Sequence, residues 1–239
     1  MGIPSSCVSS ASLSGIQIFA DIAINERKEI ASLCQFLIYE DGDTIISHQE
    51  ESNDVYFILS GTVRITIYSH SGRQITFRDL AAGQIFGELA AIDGEPRSAH
   101  VISLSHSTLA HLNAVEFCNI LTRYPSVARN TFRYLSGLVR QLSDRVIELT
   151  TLDVNSRIHA ELARLAHTGE ILSSSKRKIK NAPTHAEIAN RVSTNRESVS
   201  REISVLTNQG VIKKEGRVLI IEDYNELQKM VNNDLYKNI

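Results

Sequence analysis

The chain has 239 residues, 42% hydrophobic and 22% charged, with a formal net charge of −2. That is enough apolar material for packed cores in two small domains or one large one, and it excludes a disordered chain. The charge is uneven: residues 154–221 hold twelve Lys and Arg against six Asp and Glu, whereas residues 1–153 hold eleven against seventeen. A basic back half facing an acidic front points to a polyanionic partner for the back half.

Residues 1–15, rich in Ser and small side chains, lack the basic start and apolar stretch of a secretory signal, so they read as a flexible tail. Met1-Gly2-Ile3-Pro4-Ser5-Ser6 matches a short myristoylation pattern that chance explains better. Residues 16–33 suggest short helical turns. From 36 to 112 short β-branched or alternating runs take over: Phe36–Tyr39, Thr44–Ser47, Val55–Leu59, Thr62–Tyr68, Gln74–Leu80, His100–Leu104 and Thr108–Leu112. Turn residues such as Ser60-Gly61 and Ala82-Gly83 separate them, the pattern of a sandwich or barrel-like β domain over 16–124.

Pro125 can open a long helix, because no Pro interrupts residues 126–152 and only Gly137 weakens the run. Leu135, Leu138, Leu142, Leu149 and Leu152, widened by Val139 and Val146, make an apolar stripe along a rod of roughly 40 Å. The stripe either packs on its own domain or forms the seam of a two-stranded coiled coil; its length favours the dimer. Asp153 or Asn155 can cap a helix near 156–167, and Thr168-Gly169 ends it. The polar stretch Ser173–Lys180 reads as a loop or short edge ribbon.

Thr184–Leu206 reads as helix, turn, helix. Thr184 with Glu187 three residues on makes a capping box, and Ile188 and Val192 give the first helix an inner face. Ser193-Thr194-Asn195 forms the turn, with Thr194 or Asn195 capping a second helix whose inner face is Val199, Ile203 and Leu206. Its outer face carries Arg196, Glu197, Ser200 and Arg201. Arginine can bond guanine O6 and N7 together, and a carboxylate can accept from cytosine N4. Arg196 and Arg201 diverge by about 140° around the helix, so they suit different base pairs. Asn195 and Ser198 are short enough to bond phosphates. Gly210–Ile221 alternates around a Gly turn as a hairpin wing, and 222–239 reads as a further helical tail with no assigned role.

Two strings carry a family resemblance. Thr194-Asn195-Arg196-Glu197-Ser198-Val199-Ser200-Arg201 resembles the recognition motif of the cyclic-AMP receptor (Crp–Fnr) family of bacterial regulators, and Phe86-Gly87-Glu88-Leu89-Ala90 with Pro96-Arg97-Ser98-Ala99 resembles the phosphate-binding cassette of cyclic-nucleotide domains. The resemblance covers roughly residues 16–221. It implies an α+β chain: an N-terminal jelly-roll-like β-roll that binds a cyclic nucleotide, a dimerisation helix with a hinge near Asp153-Val154 (125–153), and a C-terminal winged helix-turn-helix (154–221). It also implies that Arg97, Ser98 and Ala99 hold the ring phosphate, that Glu88 accepts from the ribose, and that Gly87 allows close backbone approach. Ile65, Phe77, Arg78 and Leu80 would line the base from the roll, with Leu142 and Ser143 approaching from the long helix. Cyclic AMP is the expected effector and cyclic GMP the alternative: Leu142 replaces a hydroxyl common in cyclic-AMP responders, and Arg78 could meet a guanine carbonyl. The implied partners are double-stranded DNA with TGTGA-like palindromic half-sites, a second copy of the chain, and RNA polymerase. A second departure is Ser193, where many members carry Gly.

Cys7, Cys34 and Cys118 are odd in number and scattered, so neither a disulfide framework, a zinc site nor an iron–sulfur cluster follows; no metal is expected. No apolar run reaches the roughly 18 residues of a membrane span. A cytoplasmic regulator is expected. No HExxH, GxSxG or P-loop string supports the rival reading, an enzyme acting on cyclic nucleotides. A regulator of the same family that ignores cyclic nucleotides, or senses another effector, is the other rival.

Overall fold

A computed structural model describes residues 3–4, 10–68 and 74–237. The chain divides into two compact units, Met1–Val139 and Arg140–Ile239. The first holds β1 (Ile3–Pro4), two 3-10 turns (Ser10–Gly15 and Gln17–Phe19), α1 (Ile24–Leu33), β2 (Gln35–Tyr39), β3 (Thr44–Ile46), β4 (Val55–Ser60), β5 (Thr62–Tyr68), β6 (Gln74–Ala81), β7 (Ile85–Phe86), α2 (Glu88–Asp93), β8 (His100–Ser103), β9 (Ser107–Leu112), α3 (Ala114–Arg123) and the start of α4 (Pro125–Thr151). The second holds the end of α4, then α5 (Val154–His167), β10 (Glu170–Ile171), β11 (Arg177–Ile179), α6 (His185–Val192), α7 (Arg196–Asn208), β12 (Ile212–Glu215), β13 (Val218–Ile221) and α8 (Tyr224–Lys237).

The strands of the first unit form two antiparallel sheets, ordered β1-β2-β9-β4-β7 and β3-β8-β5-β6. Successive side chains of a strand point to opposite faces, and β4 is apolar on both. Tyr56 and Ile58 join Val63, Leu80, Phe86 and Val101 between the sheets. Val55 and Phe57 face a second core shared with Phe19, Ile30, Phe117 and Val127 from the helices. The segment expected to be a tail contributes to this core: β1 pairs with β2, and Leu13 is fully buried. An apolar side chain removed from water stabilises its segment by about 1.5–3 kcal/mol, which holds this part of the terminus in place.

In the second unit α5, α6, α7 and α8 pack with the sheet β10-β11-β13-β12 around Ile158, Leu162, Val192, Val199, Leu206 and Ile221. The ribbon before α6 and the wing after α7 are therefore one sheet. The expected role-free tail is corrected here, because α8 packs on α5 and buries Leu227 completely.

The expected hinge at Asp153-Val154 falls at the break between α4 and α5. It lies inside the second unit and is braced. The Asp153 carboxylate caps α5, accepting from the N–H and the hydroxyl of Ser156 at 2.8 Å each. Arg157 donates to the carbonyls of Leu152 (2.9 Å) and Val192 (3.0 Å). Glu161 on α5, almost wholly buried, accepts from Arg145 on α4 (3.2 Å), Arg164 on α5 and Arg191 on α6 (3.0 Å). Glu148 on α4 also pairs with Arg145 (2.9 Å) and Arg164. Buried charges that lose a partner are costly, so the last turns of α4 stay with the helix-turn-helix. Leu152 is buried as well, and the exposed apolar stripe of α4 ends at Leu149.

Candidate functional site

The first candidate site is built on the β7–α2 turn. Gly87 sits at φ +82°, and a Cβ there would lie 2.7 Å from both Arg97 Nη1 and the Asp54 carbonyl. Only glycine meets both demands. The neighbour that needs the space is the protein's own arginine. Arg97, 2% exposed, donates from Nε to Ser52 Oγ (2.9 Å), from Nη1 to the Gly87 carbonyl (3.1 Å) and from Nη2 to the Asp54 carbonyl (2.8 Å). Its backbone is laced to the same loop: Gln49 N–H donates to the Arg97 carbonyl, and Arg97 N–H to that of Glu50, both at 2.9 Å. A guanidinium has five N–H donors, so two remain for an anion. Burial lowers the Arg97 pKa, against the opposing influence of Tyr56, Asp54, Glu50 and Glu88.

Arg97 and Glu88 lie close enough to feel each other's charge, yet form no ion pair among the described residues. Glu88, 3% exposed, has its pKa raised by burial, against its own backbone N–H and the Arg78 and Arg97 charges. An acceptor of this kind suits a sugar hydroxyl. Ser98 is exposed and Ala99 buried, so the hydroxyl beside the arginine faces outward from the core. Leu89 is exposed. Phe86 stacks on Tyr56 with centroids 4.9 Å apart, and the Arg97 guanidinium lies over the same Tyr56 ring at 6.0 Å.

The residues expected around the base differ in kind. Ile65 is half-buried against the inter-sheet core and pairs with Arg78 across the β5–β6 ladder. Phe77 has no partner at the bulge there and is exposed. Leu80 and Phe86 are fully buried core residues. Arg78 is committed: Nη2 donates to the Tyr134 hydroxyl on α4 (2.6 Å), the guanidinium lies 5.4 Å from that ring, and the hydroxyl donates on to the Ile85 carbonyl (3.0 Å). Sequence reasoning missed Ser52, Asp54 and Tyr134 altogether. Leu142 and Ser143 are exposed on the part of α4 that belongs to the second unit.

The second candidate site is the outer face of α7. The capping box forms as read: Thr184 N–H donates to Glu187 Oε2 (2.7 Å), and Glu187 N–H to Thr184 Oγ1 (3.2 Å). Asn195 is the α7 cap, its Oδ1 accepting from Ser198 N–H at 2.8 Å. That commits one polar atom of a residue expected to bond phosphate, and Ser198 is half-buried. Ser193 lies at φ +53°, ψ +52°, in the left-handed region, so this residue carries the strain that a glycine would not. Arg196, Glu197, Ser200, Arg201, Ser204 and Asn208 line an open groove. Arg196, Glu197 and Arg201 are exposed, and their side chains make no hydrogen bond or ion pair among the described residues. Ser200 is engaged by a residue the sequence did not flag, His185, whose Nδ1 lies 2.7 Å from the hydroxyl.

Among the described residues no helix is long and apolar enough to cross a membrane, and no group of three or more His, Cys, Asp and Glu side chains could hold a metal ion. Burial pushes the Cys34 thiol up to about 12, the behaviour of a core thiol rather than a ligand.

Residues 36–124 match the family model described as the cyclic nucleotide-binding domain, and residues 156–230 match the Crp-like helix-turn-helix domain. The chain is 24% identical over 207 residues to the CRP-like cAMP-activated global transcriptional regulator of Mycobacterium tuberculosis, covering 85% of this chain and 92% of that protein. It is 27% identical over 192 residues to the cAMP-activated global transcriptional regulator CRP of Haemophilus influenzae, covering 79% and 84%. Its fold is similar to that of a CooA double mutant from Carboxydothermus hydrogenoformans (TM-score 0.77, 18% identity, 95% and 97% covered). It is also similar to FixK2 from Bradyrhizobium japonicum (TM-score 0.72, 18% identity, 82% and 96% covered).

Proposed function

Because the chain belongs to the Crp–Fnr family of DNA-binding transcription regulators, we propose that it is a homodimer whose affinity for a palindromic operator is set by cyclic AMP. The observation that carries the ligand reading is Arg97: a buried guanidinium with three N–H groups fixed by the fold and two left over. A monoanionic ring phosphate matches that donor set. Glu88 supplies the acceptor for the ribose. Two relatives are named as cAMP-activated, in keeping with cyclic AMP as the effector.

The dimer reading rests on α4. Phe132, Leu135, Val139, Leu142, Val146 and Leu149 follow one another at steps of three and four. Phe132, Val139 and Val146 are 63%, 63% and 61% exposed. Valine at two successive a positions with leucine at each d favours two parallel strands. In such a dimer two copies of α7 read half-sites one DNA turn apart, with Arg196 and Arg201 on guanines and Glu197 on cytosines of TGTGA-like sequences. Ligand acts by binding one arrangement of the dimer better than the other. RNA polymerase is the expected further partner and the cytoplasm the place of action. The chain binds its nucleotide rather than turning it over.

Calorimetric titration with cyclic AMP and cyclic GMP, followed by operator binding with and without each, tests the proposal. Binding of cyclic AMP that raises operator affinity is the expected result. Operator affinity that ignores both nucleotides would leave a nucleotide-independent regulator in its place.

A further inference from the structure

His185 opens α6, directly after the Thr184 cap. Its ring reaches across to α7, where Nδ1 meets Ser200 Oγ at 2.7 Å. Ser200 lines the same groove as Arg196 and Arg201. Nε2 makes no hydrogen bond among the described residues. The ring therefore stands beside the face assigned to DNA, half-buried, with one nitrogen held and the other available.

The charges of Lys214 on β12 and Arg196 on α7 act on it, while Glu197, exposed on the same groove, makes no ion pair among the described residues. On its own helix the nearest acid, Glu187, is tied to the Thr184 N–H. Burial first, then Lys214, then Arg196 press the His185 pKa below the ordinary 6.5. A third cation would crowd two that have no ion partner among the described residues.

We propose that His185 is a proton-linked DNA contact: neutral in the free protein, it takes up a proton when a backbone phosphate enters the groove beside Arg196, Ser200 and Lys214. The inference rests on the DNA-binding assignment and adds to it a titrating group. The phosphate brings the negative charge that favours the imidazolium. It also offsets the repulsion from Arg196 and Lys214. Ser200 then acts as the brace that aims the ring, which replaces its expected role as a direct DNA contact.

The sign follows from linkage. The group binds its proton more tightly in the complex than in the free chain, so affinity is highest below the free-state pKa. Affinity falls as pH rises through the window between the two pKa values, and it is flat above the bound-state pKa. One proton sets a ceiling of about tenfold in Kd per pH unit.

The full-length protein, with cyclic AMP present, is titrated with a palindromic operator duplex at constant salt from pH 6 to pH 8. The His185→Gln variant, which still offers Ser200 a hydrogen-bonding partner but cannot titrate, is compared with it. The expected result is a Kd that weakens with pH more steeply in the wild type than in the variant. Calorimetry in buffers of different ionisation heat is expected to find fewer protons taken up by the variant. Protons taken up elsewhere in the protein are common to both proteins and cancel. The imidazole ring titration of the wild type, followed by NMR with and without duplex, reads the same quantity without any substitution. Equal pKa values in the two states, or parallel pH profiles for the two proteins, overturn the proposal while DNA binding stands. A chain that binds the duplex at no pH fails the DNA-binding reading, and the proposal with it.

Discussion

Arg97 ties the β7–α2 turn together and is the group proposed to hold the ligand phosphate, so its removal should be felt in both roles. Arg97→Ala takes the donors away from the carbonyls of Gly87 and Asp54 and from the Ser52 hydroxyl. A buried acceptor left without its donor costs about 1–3 kcal/mol. Two stranded carbonyls therefore cost about 2–6 kcal/mol. Relief of the guanidinium's own desolvation penalty offsets part of that, leaving a net loss of about 2–4 kcal/mol in the first unit. Ligand binding gives a second, separable reading. Cyclic AMP at a hundred times its Kd stabilises a binding-competent protein by about 2.7 kcal/mol; Arg97→Ala should gain none. Arg97→Lys keeps the charge but cannot span three acceptors with one fork, so it should lose most of the stability and most of the ligand effect. Urea unfolding of the full-length chain, with and without cyclic AMP, measures both. A wild-type midpoint for Arg97→Ala would refute the claim that the fold depends on these bonds. Equal stabilisation by cyclic AMP in wild type and variant would refute the assignment of the phosphate to Arg97.

Other substitutions probe the second unit and the seam. Ser193→Gly relieves a left-handed backbone strain of about 1–2 kcal/mol at an entropic cost of about 0.5–1 kcal/mol, so the melting temperature should rise by a few degrees in a calorimetric scan. Glu161→Gln leaves three arginines around a neutral amide and should cost the second unit about 3–5 kcal/mol in urea unfolding. Burial pushes the Glu161 pKa up, but Arg164, Arg145 and Arg191 outweigh it and hold the carboxyl below its ordinary range. Its contribution is thus complete above the unfolded-state pKa and lost as pH falls through the lower folded-state value, so the wild-type advantage over Glu161→Gln should shrink below about pH 4. Val139→Asp places a charge on the exposed apolar stripe of α4, and sedimentation should find a monomer for the variant and the proposed dimer for the wild type.

Much of this architecture was legible because it is written in local periodicity. The alternating runs from 36 to 112 became strands within a residue or two of their expected ends. The Thr184–Glu187 box lies within one turn of helix and formed as read. What escaped reading depends on contacts distant in sequence. Nothing in Pro96-Arg97-Ser98 announces that a loop more than forty residues earlier will hold the arginine. The apolar spacing of Leu227 and Met230 was visible, but its partner α5 was not, so a core helix read as a tail. Arg145, Glu148, Glu161, Arg164 and Arg191 are ordinary surface residues by type. Only tertiary structure gathers them, close to the expected hinge. His185 drew no reading at all, because its partner is fifteen positions away.

The carboxylate at the heart of that gathering is sealed from solvent, and this bears on how titrations of DNA binding with salt are interpreted. Counterions weaken exposed charge pairs beyond about a Debye length but penetrate little to groups out of water. The reading head should therefore keep its shape from dilute buffer to several hundred millimolar salt. A slope of log Kd against log salt then counts the cations displaced from phosphates, with no hidden contribution from a domain loosening as ionic strength climbs.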